Sequence, residues 1–356
     1  MSRYFITHIA PKDKILEYKV SSAACNFSYN LMTGGGFDKI YSILPVYVCG
    51  EKHFPIDDVE YVYSSWRWGG KIKRKLAPIK ENISVFRKIE KGSSVWLYNM
   101  TMLNVWLVLL LRCFKPSVKI NVIVLDFTPG EKYNDFFLRQ INKCHGRILL
   151  ANSLLFKKEN AEVLPGVTPE NGVAYPVIVA VKKEFLVSGV LSENIAMLSM
   201  LLSAFSKLPD CTLHITGVIE NDAQVKEYAD RYPNIQYHGC VSYDEYLAIL
   251  HNTPFLLSTR NPIFPENQCN FPSKIIESLL HNRIVVSSLH YEQLGDIRYF
   301  EVPSEEAAFV DAIKHIADMP ESTLLTYANQ STKVKQMFSV KVWNRVMREL
   351  EETKLG

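Results

Sequence analysis

The segment Asn270–Leu280 holds the residues of this chain that are best suited to chemistry. Pro272 and Ser273 are typical of a helix start, and the free N–H groups and dipole of a first helical turn attract phosphate. Lys274 adds a cation there, and Glu277 follows one turn later, where its carboxylate can accept hydrogen bonds from two neighbouring sugar hydroxyls. A diphosphate at the helix start and a ribose at the glutamate describe a nucleotide sugar. The alternative is an ordinary amphipathic helix with surface Lys and Glu.

Two polar residues of the first half are further candidates. Asp126 follows a predicted strand, and a carboxylate at the carboxyl end of a parallel strand lies where open α/β sheets bind ligands. We interpret Asp126 as a contact to an acceptor or a donor sugar; the alternative is an Asp that opens a turn. Asn26 lies where the loop after the first strand would reach the same edge, although its position also suits an early helix residue.

The motifs of several other chemistries do not occur in the sequence. There is no GxGxxG after an early strand, no GxxxxGK[ST], no HExxH and no GxSxG. The seven cysteines are dispersed and include no CxxC, so neither a zinc knuckle nor a redox pair is expected, and we predict buried free thiols in a reducing compartment. Gly34–Gly36 follows a predicted helix, Ala23–Met32, and precedes a strand, so it predicts a helix-ending turn rather than a phosphate loop.

Short β-branched or aromatic runs alternate with helical patterns, which predicts an α/β fold with parallel sheets covered by helices. The predicted strands are Tyr4–Ile9, Ile40–Val48, Val59–Tyr63, Val95–Tyr98, Ile120–Leu125, Ile148–Ala151, Phe185–Ser188, Leu213–Thr216, Ile235–His238, Phe255–Ser258, Ile284–Ser288 and Tyr299–Val302. In the second half, helices are predicted near 193–207, 221–231, 243–251, 273–281 and 305–318. A Pro- and Gly-rich linker at 164–177 separates two similar halves. We therefore predict domains at 1–175 and 176–325, followed by terminal helices at 326–356.

Composition narrows the class of protein. The chain has 356 residues, 22% of them charged and 47% hydrophobic, which is typical of a globular protein and excludes a disordered chain, a coiled coil and a collagen-like fibre. The net charge of +3 from 40 basic and 37 acidic side chains is too even for a dedicated nucleic-acid binder, so no nucleic acid is expected as a partner.

One segment, Arg67–Lys91, is strongly basic, with only Glu81 and Glu90 to oppose nine basic side chains. It indicates either a solvated helix face or contact with an anionic membrane, for which Trp66 and Trp68 would be interfacial anchors. The longest apolar stretch, Leu103–Phe114, is shorter than the ~20 residues of a membrane span and predicts a buried helix. With no secretory signal at the N-terminus, we expect a cytoplasmic protein with a peripheral contact at the inner face of the cytoplasmic membrane.

Five segments of the second half carry a family resemblance. A strand ending in Gly, Phe185–Gly189, is followed by a helix of the LLxAFxxL kind in Met200–Pro209, and then by L-x-I-x-G in Leu213–Gly217. Tyr237–Leu250 follows the pattern hxGxVxxxEhxxhL, and Pro272–Leu280 the pattern PSKxxExL. In this order they resemble the donor-binding domain of GT-B glycosyltransferases, particularly the retaining family-4 group.

The resemblance implies two Rossmann-like domains that face each other across a cleft, with a C-terminal helix crossing back to the N-terminal domain. It implies a nucleoside-diphosphate sugar as donor, a glycan or lipid-linked acceptor at the N-terminal domain, and neither a metal nor a cofactor. The implied reaction is transfer of a hexose-type sugar in bacterial surface polysaccharide synthesis. The donor residues carried over are Gly189, Gly239, Cys240, Val241, Asn270, Ser273, Lys274 and Glu277, with Asn26 on the acceptor side.

The sequence departs from the family pattern at three positions. The family often has a second glutamate eight residues before the one at Glu277, and here that position holds Cys269. Glu266 could replace it from a longer loop, so Asp126 and Glu266 are the predicted catalytic residues; Asn267, Gln268 or Asn270 could also stand in.

Val190 and Asn194 occupy the places of an Arg and a Lys that usually touch the diphosphate, which leaves Lys274 and Arg260 as cations. These departures leave two alternatives open: a nucleotide-sugar epimerase of the same fold, and a non-catalytic binding or scaffold protein.

Overall fold

The computed structural model describes residues 1–15, 17–44, 53–63, 71–169 and 175–353. The chain divides into two compact units, one comprising Met1–Glu170 with Phe338–Gly356 and the other Asn171–Met337. The chain passes from the first unit to the second after Glu170, inside the predicted linker at 164–177. It returns to the first unit at Phe338, twelve residues after the predicted start of the terminal helices at 326.

The first unit is built on a mostly parallel sheet. Its described strands are β1 (Arg3–Thr7), β2 (Lys39–Leu44), β3 (His53–Ile56), β4 (Val59–Tyr63), β5 (Ser94–Tyr98), β6 (Lys119–Val124), β7 (Gly146–Leu149) and β8 (Ala161–Val163). Their order is β3-β4-β2-β1-β5-β6-β7-β8, and only β3 and β4 pair antiparallel. The accompanying helices are α1 (Ser22–Met32), α2 (Lys71–Lys88), α3 (Val105–Phe114) and α4 (Asn134–Ile141).

The second unit is built on a parallel sheet. Its described strands are β9 (Glu184–Val190), β10 (Thr212–Val218), β11 (Ile235–Gly239), β12 (Phe255–Ser258), β13 (Ile284–Ser287) and β14 (Phe300–Glu301), in the order β11-β10-β9-β12-β13-β14. Its helices are α5 (Glu193–Ala196), α6 (Leu198–Ser206), α7 (Ala223–Arg231), α8 (Tyr243–Asn252), α9 (Pro265–Cys269), α10 (Ser273–Leu280), α11 (Glu306–Ala317), α12 (Glu321–Leu324) and α13 (Ser331–Phe338).

Where the structure describes them, the predicted strands are confirmed to within a few residues, because continuous apolar runs become central strands buried on both faces. Residues 45–48 of the predicted strand Ile40–Val48 lie outside the described residues. β1 and β5 are buried along their whole length. The sequence missed the short strands β3 and β8 at the edges of the first sheet and the short helix α9. The single helix predicted near 193–207 is two helices, because Met197 takes a left-handed conformation between them.

A terminal helix, α14 (Val340–Glu352), packs in the first unit. Its apolar stripe is buried, with Trp343 against Phe27 and the Trp343 Nε1–H donating to the Gly166 carbonyl at 2.7 Å. At its far end, Glu351 forms a buried ion pair with Arg3 of β1 at 2.9 Å. The predicted turn at Gly34–Gly36 is confirmed after α1; a Cβ at Gly34 would lie 2.7 Å from Val340, so this glycine permits the close approach of α14.

Several sequence expectations concern the surface. Within the described residues, no helix is long and apolar enough to cross a membrane. Leu103–Phe114 largely forms α3, a buried helix as predicted, although Phe114 at its end is exposed. The predicted burial of the cysteines is confirmed for Cys25, Cys144, Cys211 and Cys269. It is wrong for Cys113 and Cys240, which are exposed because they lie at the end of α3 and in the loop after β11. Cys49 lies outside the described residues. In the basic segment, Trp66, Arg67 and Trp68 and the side chains of 71–75 lie outside the described residues.

Each sheet contains a point at which its connections reverse direction. β1 lies between β2 and β5, and β9 lies between β10 and β12. Open α/β sheets bind ligands in the crevice outside the carboxyl ends of the strands at such a point. The places to look for function are therefore the segments that follow β1 and β5 in the first unit, and those that follow β9 and β12 in the second.

Candidate functional site

The start of α10 brings a cation and a carboxylate together. The helix begins at Ser273 after Pro272, whose extended backbone suits the position before a first turn. Lys274 and Glu277 are one turn apart, and the Lys274 Nζ lies 2.7 Å from Glu277 Oε2. Both side chains are partly exposed, at 34% and 22%, so the pair is accessible from solvent. The structure thus places the three predicted residues of this segment on one helical turn and a half.

Two tyrosines of α8 complete this cluster. The Tyr246 hydroxyl donates to Glu277 Oε2 at 3.0 Å, and the Tyr243 hydroxyl donates to Oε1 at 3.3 Å. The Lys274 ammonium lies 3.9 Å from the centre of the Tyr246 ring, within the range of a cation–π contact. Tyr246 is buried, whereas Tyr243 is 54% exposed. We call Lys274, Glu277, Tyr243 and Tyr246 the tyrosine–glutamate cluster.

The start of α8 positions the two rings. Ser242 caps this helix: its hydroxyl accepts from the Glu245 N–H, and the Glu245 carboxylate accepts from the Ser242 N–H. Tyr243 and Tyr246 are three residues apart and therefore project from the same side of the helix. Burial, followed by the charge of Glu277, raises the pKa of both phenols, so each is a protonated donor at neutral pH.

Glycines line the carboxyl edge of the second sheet. Gly189, Gly217 and Gly239 near the ends of β9, β10 and β11 have φ values of +119°, +141° and +70°. A Cβ at Gly217 would lie 1.9 Å from the Gly189 carbonyl oxygen, so these two strands require glycine to approach this closely. A Cβ added at Gly239 would have no other atom within 4 Å, and the Cys240 side chain that follows is exposed. The Gly239 carbonyl accepts from the Thr216 hydroxyl at 2.8 Å. The predicted contact of Gly239–Val241 with a nucleobase stays a prediction.

A second cation lies after β12. The Arg260 backbone is held by Ser288: the Arg260 N–H donates to the Ser288 Oγ, and the Ser288 hydroxyl donates to the Arg260 carbonyl, both at 2.7 Å. The Arg260 guanidinium donates to Asn267 Oδ1 at 3.1 Å, and Asn267 Nδ2 donates to the Asn194 carbonyl at 2.7 Å. The buried Asn267 side chain thus links Arg260 to the short helix α5, which follows β9. The exposed Val190, the last residue of β9, stands at one of the two positions where the resemblance to family 4 leads us to expect a cation.

Glu266 and Asn270 lie on the short connection before α10. Glu266 is in the first turn of α9, half-buried, and its carbonyl accepts from the Asn270 N–H at 3.1 Å. Among the described residues, no hydrogen bond or ion pair joins the Glu266 carboxylate to Lys274 or Glu277. Its predicted catalytic role stays a prediction.

The first unit has a polar network at the corresponding edge. His8, directly after β1, is half-buried, and its Nδ1–H donates to the Ile43 carbonyl at 3.0 Å. Its Nε2 lies 3.3 Å from both the Thr101 hydroxyl and the Asn104 amide nitrogen, and burial lowers the pKa of His8 to about 4. Neutral His8 therefore accepts from these groups. Asn104 also donates to the Asn99 carbonyl at 2.9 Å, which joins the ends of β1 and β5.

Asp126 extends from this network. The Asn99 side chain accepts from the Leu125 N–H at 2.7 Å, which holds the chain immediately before Asp126. Asp126 is exposed, and its charge adds to burial in raising the pKa of Tyr98. The other candidate of this unit, Asn26, is an exposed residue within α1 and not part of the preceding loop. The helix interpretation of Asn26 is therefore the correct one, and its acceptor role stays a prediction.

Sequence reasoning missed His8, Asn99, Tyr243, Tyr246 and Asn267. His8 could have been found by the rule that selected Asp126, because it follows a strand that is central in the sheet. The two tyrosines had a weaker signal, a pair of aromatic residues in the first turn of a predicted helix. Within the described part of the chain, no three His, Cys, Asp or Glu side chains are placed to hold a metal ion.

Comparison with known proteins identifies the fold. No protein-family model and no curated protein sequence matches the chain. Among solved structures, a trehalose-6-phosphate protein of E. coli bound with UDP-2-fluoro glucose aligns with a TM-score of 0.69 and 10% identity, over 99% of this chain and all of that one. The fold is GT-B.

Two further structures agree. An α,α-trehalose-phosphate synthase (UDP-forming) from Burkholderia xenovorans, in complex with glucose-6-phosphate, has a TM-score of 0.66 and 10% identity over 99% of this chain and 100% of its own. Anabaena HepE, in complex with UDP and glucose, has a TM-score of 0.64 and 14% identity over 98% of both chains. The expected GT-B architecture, with an α/β unit on each parallel sheet, is confirmed. At these sequence identities the similarity establishes the fold only, and the expected membership of family 4 is not confirmed.

Proposed function

We propose that this protein is a glycosyltransferase that transfers a sugar from a nucleoside-diphosphate sugar to a glycan or lipid-linked acceptor. The observation that carries the proposal is the pairing of Lys274 with Glu277 at the start of α10, beside the glycine-lined edge of the sheet. A cation and a helix start suit a diphosphate, and a carboxylate one turn later suits a diol. Structural neighbours of the same fold contain UDP, UDP-2-fluoro glucose or glucose-6-phosphate, which supports this choice of ligands.

In this proposal the second unit binds the donor. The first-turn N–H groups of α10, with Ser273 and Lys274, receive the diphosphate, and Glu277 accepts from the ribose hydroxyls. The nucleobase lies against the backbone of Gly239–Val241. Arg260 is the second cation, because its link through Asn267 reaches Asn194, the position near which family-4 enzymes carry a lysine. Fixed charges and dipoles of this kind stabilise a leaving diphosphate, usually the largest single contribution to such catalysis.

In the reaction, the bond between the anomeric carbon of the sugar and the diphosphate oxygen breaks, and the acceptor oxygen forms a new bond to that carbon. The departing diphosphate carries away the bonding electron pair and takes the acceptor's proton. We assign the acceptor to the first unit, with Asp126 and Asn26, and the donor sugar to Glu266 and Asn270. Retention of configuration and a hexose donor follow from the family-4 resemblance alone.

We place the reaction in the synthesis of bacterial surface polysaccharides, at the inner face of the cytoplasmic membrane. The basic segment 67–91 supports this setting, because Lys and Arg near an anionic bilayer each contribute about 1 kcal/mol of attraction. Arg87 and Lys91 of this segment are exposed, as such a contact requires.

A binding or scaffold protein is the second candidate. Val190, Asn194 and Cys269 replace three polar or charged residues of the family pattern. Such a protein would keep the fold without turnover.

The proposal is tested by thermal unfolding with UDP, GDP, ADP, dTDP and CMP, beside an assay of donor hydrolysis. A nucleotide at a hundredfold excess over its Kd stabilises the folded state by about 2.7 kcal/mol, which raises the Tm visibly. We expect one nucleoside diphosphate to do so, and Glu277→Ala to abolish the shift. Glu227→Ala, on the exposed side of α7, is the matched control and should leave the shift unchanged.

The two candidate functions separate in the hydrolysis assay. A nucleotide-induced shift with slow donor hydrolysis that requires Glu277 supports the transferase. A shift without any turnover favours the binding protein, and no shift with any of the nucleotides contradicts the donor site itself.

A further inference from the structure

The tyrosine–glutamate cluster contains more hydrogen-bond donors than a bound ribose would tolerate. A carboxylate has about four lone-pair sites, two on each oxygen. Lys274 and Tyr246 both contact Oε2 of Glu277, at 2.7 and 3.0 Å, and Tyr243 contacts Oε1. Three sites are therefore in use, and about one is left. A ribose presents two neighbouring hydroxyls, so one of the three protein donors must leave when the sugar binds.

Lys274 is the donor best able to leave. The two tyrosines sit on α8, and Tyr246 is buried, so its hydroxyl cannot move far. The Lys274 side chain is flexible and 34% exposed, and the diphosphate of the same ligand supplies it with a new anionic partner.

Tyr246 gives Lys274 a second attachment that does not involve Glu277. Its ring centre is 3.9 Å from the ammonium, and a cation above a ring face is attracted whichever anion lies beside it. The same residue thus holds the carboxylate through its hydroxyl and the ammonium through its ring. Burial and the Glu277 charge raise the pKa of Tyr246, so the hydroxyl remains a donor throughout.

We propose that Tyr246 is a positioning residue on which the Lys274 ammonium turns from Glu277 to the diphosphate when the nucleotide binds. The inference rests on the proposed function, because it takes Glu277 as the ribose contact and Lys274 as the diphosphate contact. It adds that ligand binding exchanges the internal ion pair of Lys274 and Glu277 for two contacts with the ligand.

Tyr246→Phe and Tyr246→Leu separate the two attachments. The first removes the hydroxyl and keeps the ring, and the second removes both. We would measure the affinities of UDP, 2′-deoxy-UDP and UMP by calorimetry, with GDP and ADP sets beside them. The Tyr246 hydroxyl fixes the Glu277 carboxylate in the orientation that receives the ribose. A hydrogen bond to a charged group contributes ~1.5–3 kcal/mol, about tenfold or more. With this orienting bond lost, Tyr246→Phe should lower the preference for UDP over 2′-deoxy-UDP by about tenfold. It should leave the preference for UDP over UMP within about twofold.

Tyr246→Leu should lower the preference for UDP over 2′-deoxy-UDP and also the preference for UDP over UMP. The latter should fall by about fivefold, in line with the loss of a cation–π contact. Tyr228→Phe, a change of the same size on α7, should match the wild type. Because Phe is nearly isosteric with Tyr, the Tyr246→Phe result stands even if Tyr246→Leu does not fold.

Lys274→Met tests the exchange directly. If Lys274 competes with the ribose for Glu277, its removal should raise the affinity for uridine by at least twofold while it lowers the affinity for UDP about tenfold. Reduced uridine affinity in Lys274→Met, or an unchanged ribose preference in Tyr246→Phe, would overturn the inference and leave the proposed function standing. Absence of binding of UDP, GDP, ADP, dTDP and CMP alike in the wild type would instead overturn the proposed function, and this inference with it.

Discussion

The ion pair between Arg3 and Glu351 holds the terminal helix on the first unit, and its removal is expected to be costly. Glu351 Oε1 accepts from Arg3 Nε at 2.9 Å, from the Ser94 hydroxyl at 2.9 Å and from the Trp96 Nε1–H at 2.6 Å. The Arg3 and Glu351 side chains are only 5% and 4% exposed. Glu351→Ala therefore leaves a buried guanidinium without its counter-charge and two buried donors without their acceptor.

The size of the effect follows from this burial. Removal of one partner of a buried pair costs about 3–5 kcal/mol, because the remaining charge stays desolvated. For a unit of this size, 1 kcal/mol corresponds to about 2–4 °C in Tm, so we expect Glu351→Ala to lower the Tm of the first unit by about 6–20 °C. Replacement of both partners in Arg3→Met/Glu351→Leu should recover most of the loss, since no charge is then left unpaired.

Tryptophan fluorescence during urea unfolding measures this unit by itself, because all five tryptophans of the chain belong to it. Urea is preferred because it does not screen charge. The control is Glu349→Ala on the same helix. The Glu349 side chain is 65% exposed, and its ion pair with Arg345 is long, at 3.9 Å. Such an exposed pair contributes little, so this change should alter the free energy of unfolding by less than about 0.5 kcal/mol. A cost below about 1 kcal/mol for Glu351→Ala would refute the argument that the buried pair anchors the helix.

Two other predictions concern the edges of the sheets. Burial lowers the pKa of His8 from 6.5 to about 4. Between these pH values, His8 is protonated in the unfolded chain and neutral in the folded chain. Stability is then full above pH 6.5 and falls by up to about 3 kcal/mol towards pH 4; urea midpoints across this range should fall less steeply in His8→Gln, and equal slopes would contradict the assignment. Gly217→Ala would force a Cβ to 1.9 Å from the Gly189 carbonyl oxygen. It should destabilise the second unit by about 2 kcal/mol or more and remove any nucleotide-induced Tm shift. The control is Gly92→Ala in the first unit, where φ is also positive (+72°) but no atom lies within 4 Å of the Cβ position, so that the nucleotide-induced shift should persist. A normal shift in Gly217→Ala would refute the argument.

The strands and main helices of this protein are predictable from its sequence because their signals are local. A central strand such as Lys119–Val124 is a continuous apolar run, and the helix at Tyr243–Asn252 begins with a capping box that can be read from Ser242 and Glu245. The strand Ala161–Val163 carries no such signal, since it is three residues long and none of them is fully buried. The helix Pro265–Cys269 was likewise missed because one turn is too short for a periodic pattern.

The candidate site was only half predictable. Ser273, Lys274 and Glu277 were found because they lie within five residues and a helix start has a sequence signature. Tyr246 lies 31 residues before Glu277 in the chain, and nothing local connects the two. Their contact depends on the packing of two helices on one sheet, and the same is true of His8 and Asn104, which are 96 residues apart.

The sequence by itself determined the alternation of strands and helices, the amphipathic terminal helix and the charge at the start of α10. These depend on side-chain periodicity and capping, which act over a few residues. Only the tertiary structure decided that Glu277 is shared by two tyrosines of α8, that Arg260 is linked to Asn194 of α5 through Asn267, and that Glu351 is buried against Arg3. Each of these pairs residues that are distant in the chain, and the strand order of the sheet, rather than any local pattern, sets which distant groups meet.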